Sequence, residues 1–136
     1  MKMMLLLLVV VLPAVVPSAA HAHVYDGNWA LSNCSYFIDI EDGKIDQNAV
    51  TPAKNMDAVE CSGYVAGFTG SVHAYQLVLS GEGNKPSICL PVSVRNIQVI
   101  RIMLKFLRVH PDKLNWELES LLFRSLYDAF PCSDSK

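Results

Sequence analysis

The chain is 136 residues long and 51% hydrophobic, with four cysteines and a formal charge of −2. That length supports one domain and one core, and excludes a large multidomain enzyme. The composition excludes a disordered chain, and the slightly acidic balance excludes the strongly basic surface that nucleic-acid binding usually demands.

The apolar residues are unevenly spread, since 17 of the first 22 are hydrophobic while the remaining 114 are about 46% so. Lys2 supplies a positive start, Met3 to Leu12 is an unbroken apolar run, and Pro13 and Pro17 interrupt any helix. Ala20-His21-Ala22 then presents small residues where a signal peptidase reads. The expectation is a signal peptide over residues 1–22, with cleavage after Ala20 as the alternative. A spanning anchor would need about 20 apolar residues without such breaks. No cysteine stands near the cleavage site to take a lipid. The mature chain, residues 23–136, is therefore expected to be exported and to have no membrane association.

Charge is segregated in the mature part. Residues 23–60 carry seven acids against Lys44 and Lys54, whereas residues 91–113 carry five cations against Asp112. Such a bipolar chain can pair its halves internally, dimerise, or steer a charged partner.

Four helices are predicted. The first spans about 26–40 and ends at the polar loop Glu41-Asp42-Gly43-Lys44. Thr51-Pro52 opens the second, because threonine caps well and proline is tolerated at the first helical position. At about 100° per residue, Cys61, Tyr64, Val65, Phe68, Val72, Tyr75 and Leu79 share one face out to about residue 79. Gly63, Ala66, Gly67, Gly70 and Ala74 share the other. Three glycines weaken a helix by about 1 kcal/mol each relative to alanine. Their alignment predicts either a close approach of another backbone or a break near Gly67–Gly70.

Gly81 to Pro86 forms a polar loop. A third helix is predicted over about 92–109, apolar around most of its circumference, with Gln98, Arg101, Lys105 and Arg108 in one polar stripe. A single strand of that length is excluded. His110-Pro111 turns the chain, and a fourth helix is predicted from Pro111 to about Phe130. Its aliphatic face runs from Leu114 to Leu126, beside an aromatic strip of Trp116, Phe123, Tyr127 and Phe130. The fold class is thus all-α, a small four-helix domain folded as two antiparallel hairpins.

Cys34, Cys61, Cys89 and Cys132 all lie in the exported part, which favours disulfides over metal or redox chemistry. Of three possible connectivities, the hairpin geometry selects two bridges. Folding helices three and four about His110-Pro111 brings Cys89 beside Cys132. Folding helices one and two about residues 46–48 brings Cys34 beside Cys61.

No catalytic pattern is assembled. Ser71 and His73 are two residues apart and face different directions on a helix. Nucleophile-elbow, zinc-protease, phosphate-loop and calcium-loop patterns are lacking in the sequence. The expectation is a protein that is not an enzyme and needs no metal or cofactor.

Cys61-Ser-Gly-Tyr-Val-Ala-Gly67, Ile88-Cys-Leu-Pro91, Phe106-Leu-Arg-Val-His-Pro111 and Ala129-Phe-Pro-Cys132 occur in one order. Over about 55–132 the chain thereby resembles the Rap/Tai immunity proteins of bacterial type VI secretion. The resemblance implies a small, all-helical periplasmic protein, often a homodimer. It implies binding to a toxic peptidoglycan amidase and closure of that enzyme's cleft. The sequence departs from the family pattern after His110-Pro111 and after Gly67, so a particular effector specificity does not carry over. The alternative is a general periplasmic stress or chaperone-like binding protein.

Candidate partner-binding residues are Glu82, Asn84 and Lys85, in a short loop fixed on one side by Cys89 and stiffened by Pro86. The basic stripe of Arg101, Lys105 and Arg108 is the second candidate.

Overall fold

The computed structural model describes residues 25–132, so the signal peptide expected over 1–22 lies outside the described residues. Four α-helices follow in order: α1, Gly27–Glu41; α2, Pro52–Gly81; α3, Asn96–Val109; and α4, Leu118–Ala129. Among the described residues there are no strands, only isolated bridges at Asp26–Glu117 and Ile88–Pro131.

Local sequence sets several boundaries. The Asp26 carboxylate accepts from the Trp29 amide at 2.8 Å and caps α1, and Thr51 caps α2 ahead of Pro52. At the far end of α2, Gly83 takes φ +74°. Its N–H donates to Ser80 O at 3.2 Å, and that of Asn84 to Leu79 O at 2.8 Å. This pairing satisfies the last carbonyls of the helix, and the left-handed residue it needs is a glycine.

Helix α3 is the centre of the bundle. Val99, Ile100, Met103, Leu104 and Leu107 are essentially inaccessible, and α1, α2 and α4 all pack on it. Leu118, Leu121, Leu122 and Leu126 supply the opposing face of α4, and Cys61, Val65 and Val72 that of α2. The two predicted bridges, Cys34–Cys61 and Cys89–Cys132, are both formed. The first joins α1 to α2 in the core, with both residues fully buried.

Helix α2 is continuous from Pro52 to Gly81, close to the helix predicted from Thr51-Pro52 to about residue 79, and the alternative of a break at Gly67–Gly70 does not occur. Two helix starts need correction. Helix α3 starts at Asn96 rather than about 92, because residues 91–94 form a turn closed by Val94 N–H to Pro91 O. Helix α4 starts at Leu118 rather than Pro111, which opens a short 3-10 turn at Pro111–Lys113. The intervening backbone is claimed by the start of α1. Leu114 O accepts from the Asn28 amide and side chain, each at 3.1 Å, and Leu118 N–H donates to Tyr25 O at 3.0 Å. Gly27 makes this crossing possible, since a Cβ there would stand 2.8 Å from Leu114 Cα.

Candidate functional site

The loop after α2 is held at both ends. Its start is the glycine-terminated cap just described. Its far end is fixed by the Cys89–Cys132 disulfide and by Cys89 N–H donating to Phe130 O at 2.9 Å. Between these anchors Glu82, Asn84 and Lys85 are all exposed, and the Asn84 side-chain amide lies 3.4 Å from Glu82 Oε2. The loop is therefore short, polar and positioned by rigid neighbours.

The basic stripe is exposed on α3 but does not form one free surface. Arg101 makes an ion pair with Asp42 at the end of α1, which also meets Lys44 at 3.3 Å. Hydrogen bonding to Arg101 is the main cause that holds the Asp42 carboxyl below its usual range. The acidic and basic halves of the chain thus meet internally here. Arg108 reaches Ser35 of α1 at 3.4 Å. Lys105 instead stands on the α4 side, over a shallow depression shared with Ile102, Val109, Asp128 and Ala129.

The outward face of α2 is a third surface. Residues 61–81 contain no Asp, Glu, Lys or Arg. Gly63, Ala66, Gly67, Gly70 and Ala74 are all exposed, and added Cβ atoms at the three glycines would meet nothing within 4 Å. The chain itself supplies no close-approaching backbone there. Met56, Val59, Leu77 and Val78 extend this uncharged face as exposed side chains.

Helical periodicity puts Tyr75 on the same face as the buried Cys61, Val65 and Val72, but it is 51% exposed, while Thr69 is buried and donates to Val65 O. The reason is that the groove between this flank of α2 and Phe123 of α4 stays open. Phe68, Val72, Tyr75 and Ile88 line an apolar groove of about 260 Å³ with Phe123 of α4. Trp116, Phe123 and Tyr127 of the aromatic strip remain between 42% and 46% exposed, whereas Phe130 packs against the core.

Near the start of α1, Tyr25, Trp29 and Tyr64 form an aromatic cluster with centroids 4.9 to 6.3 Å apart. Tyr25 donates to Glu60 Oε1 at 2.6 Å, and this bond holds its phenol above the usual value. Burial first, and then the neighbouring Glu119 carboxylate, push the Tyr64 phenol up further. The Tyr64 hydroxyl makes no hydrogen bond of good geometry, so burial and charge proximity, rather than a formed bond, explain that shift.

Reactive chemistry is sparse among the described residues. All four cysteines are disulfide-bonded, and no group of three His, Cys, Asp or Glu residues is placed to hold a metal ion. Ser71 donates to Gly67 O at 3.0 Å. The His110 ring stacks on Phe106 at 4.1 Å, with Nδ1 2.9 Å from Phe106 O. No described helix is long and apolar enough to cross a membrane.

These features define a small helical scaffold, stapled by two disulfides, whose distinctive surfaces are a polar loop anchored at both ends and uncharged apolar faces. The family model for Rap1a immunity proteins matches residues 26–132, and the chain belongs to that family. It is an immunity protein directed against a secreted effector. The chain finds no significant match among the curated proteins and none among the solved structures.

Proposed function

We propose that the mature chain acts in the periplasm, where it binds a peptidoglycan amidase delivered by type VI secretion and blocks its active-site cleft. The observation that carries this reading is the family match over 26–132. The loop supports it physically. An element that enters a cleft gains from being ordered before binding, because less conformational entropy is then lost on association. The Gly83 cap and the Cys89–Cys132 bridge provide that order for Glu82, Asn84 and Lys85. Lys105 and Arg108 add positive charge outside the loop.

The same reading makes the protein a homodimer through the outward face of α2. A stripe of glycine and alanine lets two copies of the helix approach closely, and a face without charge costs less to desolvate than a charged one. The exposed aromatic strip of α4 then borders the seam.

The test is inhibition of muropeptide release from peptidoglycan by the purified effector. The mature chain should abolish release at stoichiometric amounts. Replacing Glu82, Asn84 and Lys85 together with alanine should leave melting unchanged and weaken binding at least tenfold, a loss of about 1.4 kcal/mol. Undiminished affinity in that variant would remove the loop from the interface. Failure of the unmodified chain to inhibit would remove the amidase.

A further inference from the structure

The two disulfides differ in where they sit and in what they hold. Cys34 and Cys61 are fully inaccessible, packed between α1 and α2 among the core side chains. Cys89 is exposed and Cys132 half-buried, where the loop after α2 meets the end of α4. Exchange requires a thiolate to reach a disulfide sulfur. An external reductant therefore meets the second bridge in the folded chain, and the first only after the core opens.

The surface bridge also closes a weaker contact. Residues 82–95 run between Gly81 and Asn96 without an α-helix, and residues 130–132 follow Ala129, the last residue of α4. The two stretches meet at the isolated bridge of Ile88 and Pro131, where Cys89 N–H donates to Phe130 O at 2.9 Å. So small a backbone contact between irregular stretches opens at low free-energy cost, and the disulfide holds it shut.

We infer that Cys89–Cys132 is a thiol-accessible clasp that regulates the loop carrying Glu82, Asn84 and Lys85, while Cys34–Cys61 is a structural staple out of reach. The inference rests on the proposed role of that loop in binding the effector. The electrons come from a dithiol reductant, a small molecule or a thioredoxin-like protein. Its thiolate attacks one sulfur of the bridge, forms a mixed disulfide and releases the other sulfur as a thiolate, which takes up a proton. The second thiol of the reductant then displaces the mixed disulfide. Cys89 and Cys132 are left as thiols and the reductant as its own disulfide, with two electrons and two protons passed to the protein. The loop keeps its start, the Gly83 cap, but loses its fixed far end. More conformational entropy is then lost on binding, and affinity falls. Oxidation restores the clasp, so immunity follows the thiol–disulfide balance of the compartment.

The clasp is tested first on the mature chain under native conditions. The protein is treated with graded dithiothreitol, free thiols are trapped with iodoacetamide, and the peptides are quantified by mass spectrometry. Cys89 and Cys132 should be alkylated at least tenfold faster than Cys34 and Cys61, with helical circular dichroism retained. Equal rates, or earlier opening of Cys34–Cys61, would overturn the clasp. In the chain reduced in this way, backbone ¹⁵N relaxation should report new motion at Asn84, Lys85 and Ser87 and none in α3. An unchanged loop would overturn its control by the bridge. The last arm expresses the chain with Cys89→Ser and Cys132→Ser in cells facing a neighbour that secretes the effector. At matched abundance it should protect at least tenfold less well than the unmodified chain. Equal protection would overturn the regulatory role while leaving immunity intact. Failure of the unmodified chain to protect would instead refute the immunity reading, with the difference in reduction rates still standing.

Discussion

Replacing Gly63, Gly67 and Gly70 together with alanine should stabilise the isolated fold and weaken its self-association. Each glycine lies inside the continuous helix α2, and a Cβ at each meets nothing within 4 Å. The substitutions therefore gain helix propensity without a clash, about 1 kcal/mol apiece and about 3 kcal/mol in total. For a domain of about this size that corresponds to roughly 10 °C in melting temperature. The chain tolerates this weakness, on the present account, because a second copy packs on the stripe. The added methyl groups push the two helices apart. Calorimetry at a dilution where only monomer is present, paired with sedimentation at higher concentration, separates the two effects. The expected result is a higher melting temperature and at least a tenfold weaker dimer. A lower melting temperature in the dilute sample would mean that the stripe is packed within the fold. Unchanged dimerisation would move the seam elsewhere.

The opposite sign is expected at Gly27, where alanine would place its Cβ 2.8 Å from Leu114 Cα. Gly27→Ala should lower stability by about 1–3 kcal/mol, and a stabilised variant would refute the close crossing. Converting Cys34 and Cys61 to alanine opens a loop with a sequence separation of 27, and converting Cys89 and Cys132 one of 43. Chain entropy puts the cost near 4 kcal/mol for each pair, read by denaturant unfolding; losses below about 1 kcal/mol would contradict this. Arg101 lowers the Asp42 pKa, so the pair contributes stability above the ordinary carboxylate range and loses it as pH falls through the lowered value. The melting difference between wild type and Asp42→Asn should be small at neutral pH, as for any surface pair. It should disappear well below pH ~4, and a difference that persists there would refute the pairing.

The helices and both disulfides were legible because local rules set them. Thr51-Pro52 announces the start of α2, and the two turns bring the cysteines into register. The starts of α3 and α4 were not legible, because bonds from distant residues decide them. Nothing in Pro111 to Glu117 signals that Leu114 O will cap the start of α1 or that Leu118 will bond Tyr25. The candidate loop was readable from its glycines, proline and flanking cysteine. The exposure of Tyr75 and Phe123 was not, since helical periodicity gives the angle of a residue but not how far the neighbouring helix reaches.

The central claim, immunity against a secreted effector, is tested most directly by contact competition. The gene is deleted in the bacterium that makes the chain, and the deletion strain is grown against its parent on a solid surface. The account predicts that the deletion strain is killed in contact with the parent and spared by a parent lacking type VI secretion. Full-length chain should rescue it, and chain lacking residues 1–22 should not. Equal survival of the deletion strain beside a secreting parent would contradict the account.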